Sequence, residues 1–271
     1  MSITTHRISV GGVPQAYHVA GSGPVCVAHS GGPGIDWAYL RMPLLEQRFT
    51  MVYLEPVGTG DSGRLPAYPL SAYAEFVAAV VDHLGSPSVY VLGHSHGGFV
   101  MQQFALDHPS RVAGIVLYDT SPVTGAAFWD SATAGVMAYG AVDPAVPAAF
   151  EQAVTATDDD ALSVALRQAV PVYFADFPGR RDEFAPFVAG VRAWAVPQDP
   201  EPFDVRARLG EISAPTVIIV GEHDFICGPR WAAMLHAGIP GSRLVTLRSS
   251  GHFGHVEQPV PFAEAVSALL G

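Results

Sequence analysis

One serine of this sequence lies between two glycines, directly after an apolar run. The β-prone residues 89–92 lead into Gly93-His94-Ser95-His96-Gly97, and a helix-compatible segment, Phe99 to His108, follows. At the tip of such a strand–turn–helix unit a Ser has a strained backbone, and a side chain at either glycine would crowd the neighbouring strand and helix. Free N–H groups at the helix N-terminus would face the negative charge that develops in acyl transfer. The pattern predicts that Ser95 is a nucleophile; an ordinary Gly-rich turn is the alternative.

A Ser hydroxyl needs a base to remove its proton, and the base needs a carboxylate to set its tautomer. In sheets of this kind the three residues come in the chain order Ser, acid, His. Asp224 closely follows the apolar run 217–220, and His252 follows the last predicted strand. Both would lie at carboxyl ends of strands, the edge where such sheets bind ligands. The sequence therefore predicts a triad of Ser95, Asp224 and His252.

Neighbouring residues leave alternatives for the acid and the base. Asp119 also ends a predicted strand and could supply the carboxylate. His255 comes one helical turn after the predicted base and could replace it. His94 and His96 flank Ser95, and neither can easily fold back onto its hydroxyl.

A second Gly-rich loop follows another short apolar strand. Pro24 to His29 predicts the strand, and Ser30-Gly31-Gly32-Pro33-Gly34 follows it. Glycines let the backbone approach a ligand closely with exposed N–H groups. A plain turn is the alternative interpretation of this loop.

Composition narrows the class of protein. The chain has 271 residues, 49% of them hydrophobic, which is enough for one α/β domain with an inserted subdomain. The formal net charge is −11 and no basic run occurs, which argues against nucleic acid and anionic membrane surfaces as partners. All 14 basic residues are Arg, so no mechanism can use a catalytic Lys.

Cysteine usage and the N-terminus predict a cytoplasmic protein. Cys26 lies in an apolar strand and should be buried, whereas Cys227 follows a candidate catalytic loop and could be partly accessible. The two fit no disulfide framework and no metal spacing. Residues 1–10 lack the basic and apolar regions of a secretory signal. No apolar run approaches the roughly 20 residues that a membrane span needs.

Strands and helices alternate over most of the chain, which predicts a mostly parallel sheet with helices on both faces. Helical periodicity also covers Trp37 to Arg48. After Asp119 the pattern changes, and the stretches up to Leu209 are helical: 126–139, 145–156, 160–170 and 181–194. We therefore expect residues 1–120 and 210–271 to form the core, with 121–209 inserted as a helical cap.

Several motifs together resemble those of the α/β-hydrolase superfamily, and within it the proline iminopeptidase-like serine hydrolases. They are Gly31-Gly32-Pro33-Gly34, Gly58-Thr59-Gly60-Asp61-Ser62, Gly93-His94-Ser95-His96-Gly97-Gly98, Gly221-Glu222-His223-Asp224, and Gly251-His252-Phe253 with Glu257-Gln258-Pro259. The resemblance implies an α/β-hydrolase fold. It also implies an oxyanion hole made by the N–H groups of His96 and Gly32, with Gly31 as the alternative to Gly32.

The sequence departs from the iminopeptidase pattern at several positions. Ser30 stands where the family usually has His, and His96 where it has Trp. The cap has no Trp-x-x-Trp-Glu motif, the kind that brings an acid to a substrate's free amine. Glu151 and Glu183 are cap acids, but their context does not single them out. These departures favour a substrate other than an N-terminal prolyl peptide.

The sequence predicts a cofactor-independent serine hydrolase, with no metal, that acts through an acyl-enzyme. The substrate would be a small ester, thioester, lactone or amide with a hydrophobic acyl part, held beneath an aromatic-rich cap. Three alternatives remain open: a proline iminopeptidase-type aminopeptidase, a cofactor-free lyase or cyclase, and a non-catalytic ligand-binding protein.

Overall fold

The computed structural model describes residues 2–197 and 201–270, and its centre is one eight-stranded sheet. The strand order is β1-β2-β4-β3-β5-β6-β7-β8. Strands β1, β2 and β4 pair antiparallel and all other neighbours pair parallel, so the mostly parallel sheet is confirmed. The strands are Thr4–Val10 (β1), Val13–Gly21 (β2), Val25–His29 (β3), Thr50–Leu54 (β4), Val89–His94 (β5), Val112–Tyr118 (β6), Thr216–Gly221 (β7) and Arg243–Leu247 (β8).

Helices cover both faces of the sheet. They are Leu70–His83 (α1), His96–Asp107 (α2), Ala126–Tyr139 (α3), Ala145–Thr155 (α4), Asp159–Ala169 (α5), Arg181–Gly190 (α6), Pro229–Gly238 (α7), Gly254–Glu257 (α8) and Pro259–Ser267 (α9). Successive strand residues point to opposite faces, so Val91 packs in the core beneath α1, α2 and α7, and Leu92 packs in the core beneath α9. Because both faces are buried, the central strands are continuously apolar.

The segment Trp37 to Arg48 is not one helix. Two short 3₁₀ turns, Trp37–Leu40 and Leu45–Gln47, replace it, and Arg41 between them is extended. Pro43 explains the break, because proline lacks an N–H donor and disfavours helical geometry in the residue before it. The prediction of a continuous helix was wrong here.

Four helices, α3 to α6, lie between β6 and β7, and the described part of this segment adds no strand to the main sheet. The segment crosses the Gly-rich loop after β3, where the Trp194 N–H donates to the Gly34 carbonyl at 2.7 Å. Its aromatic cluster, which includes Phe174, Phe184 and Phe187, packs on Phe253. The helical insertion therefore contacts the residue next to His252.

No helix in residues 2–197 or 201–270 combines the length and apolarity that crossing a membrane requires.

Candidate active site

Ser95 lies in a strained turn between β5 and α2. Its φ is +56°, in the left-handed region that non-glycine residues rarely adopt. The Ser95 N–H donates to the Tyr118 carbonyl at 3.0 Å. Its own carbonyl accepts from the Gly98 N–H at 2.9 Å and the Thr120 hydroxyl at 2.8 Å. These three hydrogen bonds hold the backbone in a conformation that it would otherwise leave.

The glycines that flank Ser95 are required by close packing. A Cβ atom at Gly93 would lie 2.3 Å from the Gly97 carbonyl oxygen, and one at Gly97 would lie 2.2 Å from the His29 carbonyl oxygen. Both contacts are with backbone, which cannot rotate away. The turn can form only if neither position carries a side chain.

We therefore expect Gly97→Ala to lower the free energy of unfolding by about 3 kcal/mol or more, because β3 and α2 must separate to admit the methyl group. Gly210→Ala is the matched control, since a Cβ atom there meets nothing within 4 Å, and it should change stability by less than about 1 kcal/mol. Urea unfolding of both variants measures the difference. Equal stabilities would contradict the packing argument.

Asp224 and His252 are joined by a buried hydrogen bond. His252 Nδ1 and Asp224 Oδ2 are 2.8 Å apart, and both residues are at least nine-tenths buried. The other oxygen, Oδ1, accepts the N–H groups of Ile226 at 2.9 Å and Cys227 at 3.1 Å. Asp224 therefore accepts three hydrogen bonds, which fix the direction of its carboxylate. Such a carboxylate can set the tautomer of His252 and stabilise its protonated ring.

Ser95 and His252 line the same cavity, together with Gly31, Gly32 and residues of the helical insertion. Cys227 follows Ile226, which also lines this cavity. Cys227 is only 1% exposed, so the prediction of a partly accessible thiol was wrong. Burial, and then the nearby Asp224 and Asp119, hold the pKa of this thiol well above its usual value. The thiol therefore stays protonated and is a poor nucleophile.

His255, the alternative base, has both ring nitrogens engaged elsewhere. Its Nδ1 faces the Tyr118 hydroxyl at 2.9 Å, and its Nε2 donates to the Tyr39 carbonyl at 2.9 Å. Burial lowers the pKa of His255 to about 4. A neutral ring with two partners is suited to a structural role.

His94 belongs to a hydrogen-bonded chain that supports the His252 backbone. Its Nε2 donates to the His252 carbonyl at 2.9 Å, and its Nδ1 lies 2.6 Å from the Tyr39 hydroxyl. Burial, and then the nearby His252 and His255, hold the pKa of His94 well below its usual value. The neutral ring must therefore accept from Tyr39 at Nδ1. Sequence reasoning missed Tyr39, because it lies 55 positions from His94 and no local motif marks it.

The same tyrosine distinguishes the two candidate oxyanion donors of the Gly-rich loop. The Gly31 N–H donates to the Tyr39 hydroxyl at 2.7 Å and is therefore occupied. Gly32 has a φ of +134° and lines each of the three cavities that meet at this loop. His96 is the first residue of α2, where backbone N–H groups have no partner within the helix.

Glu257 holds the His252 loop against the helical insertion between β6 and β7. Its carboxylate accepts the Gly251 N–H at 2.7 Å and the Ala175 N–H at 2.8 Å, while the His252 N–H donates to the Tyr173 carbonyl at 2.6 Å. Burial raises the pKa of Glu257. The motif around Glu257 could be recognised in the sequence. Its role in holding the His252 loop depends on Ala175, which is about 80 positions away in the helical insertion.

Two groups of buried side chains have the donor atoms of a metal site: His94, Asp119 and His252, and Asp224, Cys227 and His252. Their chemistry fits a metal poorly. His94 uses both nitrogens in hydrogen bonds, and Cys227 is held as a thiol. Since thiolate is the form that binds metals, these donors are better suited to proton transfer.

Comparison with known proteins identifies the family. Residues 23–259 match the family described as alpha/beta hydrolase fold, so the chain belongs to the α/β-hydrolases. It is 30% identical to a 2-hydroxy-6-oxononadienedioate/2-hydroxy-6-oxononatrienedioate hydrolase of Klebsiella pneumoniae over 260 residues, which cover 92% of this chain and 88% of the relative. A putative carbamate hydrolase, RutD, of Caulobacter vibrioides is 26% identical over 289 residues, which cover 97% of this chain and 98% of the relative.

Solved structures agree with this assignment. A hydrolase from Pseudomonas aeruginosa superposes with a TM-score of 0.76 at 25% identity, and the match covers 98% of both chains. The α/β-hydrolase superfamily indicated by the sequence motifs is thus confirmed. The proline iminopeptidase-like subtype is not singled out by these relatives and stays a prediction.

Proposed function

We propose that this α/β-hydrolase cleaves a small, uncharged acyl ester or thioester through an acyl-enzyme. Ser95 is the nucleophile, His252 the general base and Asp224 its acid partner. The observation that carries the proposal is the buried 2.8 Å bond between His252 Nδ1 and Asp224 Oδ2, because it leaves His252 Nε2 to face the cavity that Ser95 lines.

In the acylation step the Ser95 hydroxyl oxygen attacks the substrate carbonyl carbon while His252 Nε2 takes the hydroxyl proton. Asp224 stays ionised and stabilises the imidazolium that forms. The N–H groups of Gly32 and His96 donate hydrogen bonds to the developing oxyanion, and the N-terminus of α2 adds favourable positive potential there. Collapse of the intermediate expels the leaving group, which receives its proton from His252.

In the deacylation step water takes the place of the leaving group. His252 removes a proton from that water, whose oxygen attacks the acyl carbon. The bond between the acyl carbon and the Ser95 oxygen then breaks, the acid leaves, and His252 returns the proton to the Ser95 oxygen. The buried network of Tyr39, His94 and Tyr118 keeps the His252 backbone in place through both steps. A ring that must give and take protons in fixed directions needs such support.

The lining of the cavities supports an uncharged substrate. The cavity at Ser95 and His252 is small, about 80 Å³, and most of its other walls are aliphatic and aromatic, including Val170, Phe187 and Phe253. No Arg occurs in the described linings of this cavity or of the two beside it, and the chain has no Lys. A substrate carboxylate would be buried there without a cation, at a cost of several kcal/mol. The Klebsiella relative is named for a dioate, a substrate with two carboxylate groups, and the described linings of these cavities contain no Arg that could pair with them.

A free ammonium group would also find little support near Ser95. Glu151 and Glu183 are both exposed, and the second is paired with Arg180. Glu201 is the one acid in the described linings of the three cavities, and it lines the same cavity as His96. Sequence reasoning did not identify Glu201.

We expect p-nitrophenyl butyrate to be cleaved with at least a tenfold higher kcat/KM than proline p-nitroanilide at neutral pH, a difference of about 1.4 kcal/mol in transition-state binding. An S-butyryl thioester should likewise be cleaved with a higher kcat/KM than proline p-nitroanilide. A preference for the prolyl substrate would contradict the proposal, and Glu201→Gln would then test whether Glu201 binds the amine. Reaction in ¹⁸O-labelled water separates hydrolysis from lyase chemistry, because only hydrolysis puts solvent oxygen into the acid product.

A further inference from the structure

A second buried carboxyl group lies beside the proposed triad. Asp119 follows β6, is 1% exposed and has a φ of +42°. Its N–H donates to the Ile219 carbonyl at 2.9 Å, and its Oδ1 accepts the Gly221 N–H at 2.8 Å. The other oxygen, Oδ2, is buried and receives no hydrogen bond from a donor in the described residues.

The Asp119 and Asp224 carboxyls both lie next to His252: an Asp119 oxygen is within 4.8 Å of a ring nitrogen, and Asp224 Oδ2 is 2.8 Å from Nδ1. Two buried carboxyl groups gathered around one imidazole repel each other when both are ionised, so one of them carries a proton. Asp224 already accepts three hydrogen bonds, from His252, Ile226 and Cys227, whereas Asp119 accepts one. The proton therefore resides on Asp119. Burial, and then the charge of Asp224, raise the pKa of Asp119 well above its usual value.

Asp119 also lies within reach of the proposed base. A carboxyl oxygen of Asp119 and ring nitrogens of His94 and His252 all lie within 4.8 Å of one another. His94 is committed to Tyr39 and to the His252 carbonyl, so His252 is the ring that can change its acid partner.

We propose that Asp119 is a positioning residue whose protonated carboxyl donates a hydrogen bond to Asp224, and that it becomes the acid partner of His252 when Asp224 is neutralised. This inference rests on the proposed function, since it assumes that His252 is the catalytic base. Asp119 and Asp224 follow neighbouring parallel strands, β6 and β7, which is why both carboxyls reach one imidazole.

The charges around Asp119 predict how its titration changes. The titratable groups that influence it or lie beside it are Asp224, Glu257, Tyr118, Cys227, His94 and His252. Among these groups, Asp224 carries the negative charge that raises the pKa of Asp119 most, and Asp224→Asn removes it. Asp119 then ionises at a lower pH than in the wild type, and the His252 imidazolium is its natural counter-ion.

The test compares the kcat of wild type, Asp119→Asn, Asp224→Asn and the double variant on p-nitrophenyl butyrate. We expect Asp119→Asn alone to cost no more than about fivefold, because the amide can still donate to Asp224 and Asn tolerates a positive φ. Asp224→Asn should cost about 10²-fold, and the double variant about 10⁴-fold, the loss expected when no acid orients the base. The kcat of Asp224→Asn should also fall as the pH drops, because Asp119 becomes protonated. The double variant has no carboxyl at position 119, so its kcat should lack this decrease.

Two kinetic outcomes would overturn the proposal. If Asp119→Asn costs the same factor in both backgrounds, Asp119 does not replace Asp224. If Asp119→Asn alone costs about 10⁴-fold, Asp119 is the primary acid of the triad.

A stability measurement tests Asp119 independently of catalysis. An acid whose pKa is raised by folding binds more protons in the folded state than in the unfolded state. The contribution of Asp119 to wild-type stability therefore falls as the pH rises above about 4, the pKa of an Asp in the unfolded chain. Asp119→Asn lacks this loss, and its Tm relative to wild type should increase between pH 4.5 and 7.5. A flat or decreasing difference would show that Asp119 is ionised and would refute the proposal. If wild type hydrolyses no ester, the proposed function fails, while the Tm series still decides the state of Asp119.

Discussion

Replacing Ser95 with Ala should lower kcat for p-nitrophenyl butyrate by about 10⁴-fold or more and leave the fold unchanged. The side chain lost is the proposed nucleophile, so the acyl-enzyme can no longer form at residue 95. The nearby Cys227 cannot replace it, because burial holds the pKa of its thiol well above the usual value. Ala removes only the hydroxyl, so stability should change little.

A fluorophosphonate probe checks the same assignment by labelling. Wild type should be labelled in a stoichiometric and time-dependent manner, and Ser95→Ala should not be labelled at all. Ser121→Ala is the matched control, since it removes a buried hydroxyl whose partner is a backbone carbonyl, that of Val123, at 2.7 Å. Labelling that persists in a folded Ser95→Ala protein would refute the nucleophile. An unlabelled wild type would favour a non-catalytic binding protein.

His252→Gln should lower kcat by a similar factor of about 10⁴, because the hydroxyl proton then has no acceptor. In the wild type, kcat/KM should fall as the pH drops, because a protonated base cannot take the hydroxyl proton. The other two histidines of the network, His255 and His94, are held in the neutral form. Burial lowers the pKa of His255 to about 4 and holds that of His94 well below its usual value.

The matched control is His255→Gln, which changes a second buried imidazole one helical turn away. It loses hydrogen bonds to Tyr118 and Tyr39 and should cost about 1–3 kcal/mol of stability. The acid limb should nevertheless remain in the folded variant. If the limb disappeared in His255→Gln and persisted in His252→Gln, the base would be His255.

Local sequence patterns determined the elements of the sheet and the positions of the residues that the structure brings together. Each central strand is a short apolar run that ends in glycine or polar residues, and parallel strands place their carboxyl ends at one edge. Ser95, Asp224 and His252 follow β5, β7 and β8, so their positions at that edge follow from the chain order alone. The need for Gly93 is local as well, because a Cβ atom there would meet the Gly97 carbonyl, whereas Gly97 is required by the distant His29 carbonyl.

The tertiary structure decided everything that depends on residues distant in sequence. Asp119 and Asp224 follow adjacent strands, and only the packed structure shows that Asp224 bonds to His252 while Asp119 accepts from the Gly221 N–H. The choice between Gly31 and Gly32 depends on the hydroxyl of Tyr39, which no motif connects to the loop. Burial of the Cys227 thiol likewise depends on how the segments that surround it pack. Hydrogen-bond partners and burial are set by the approach of several segments at once, and no single stretch of sequence records that approach.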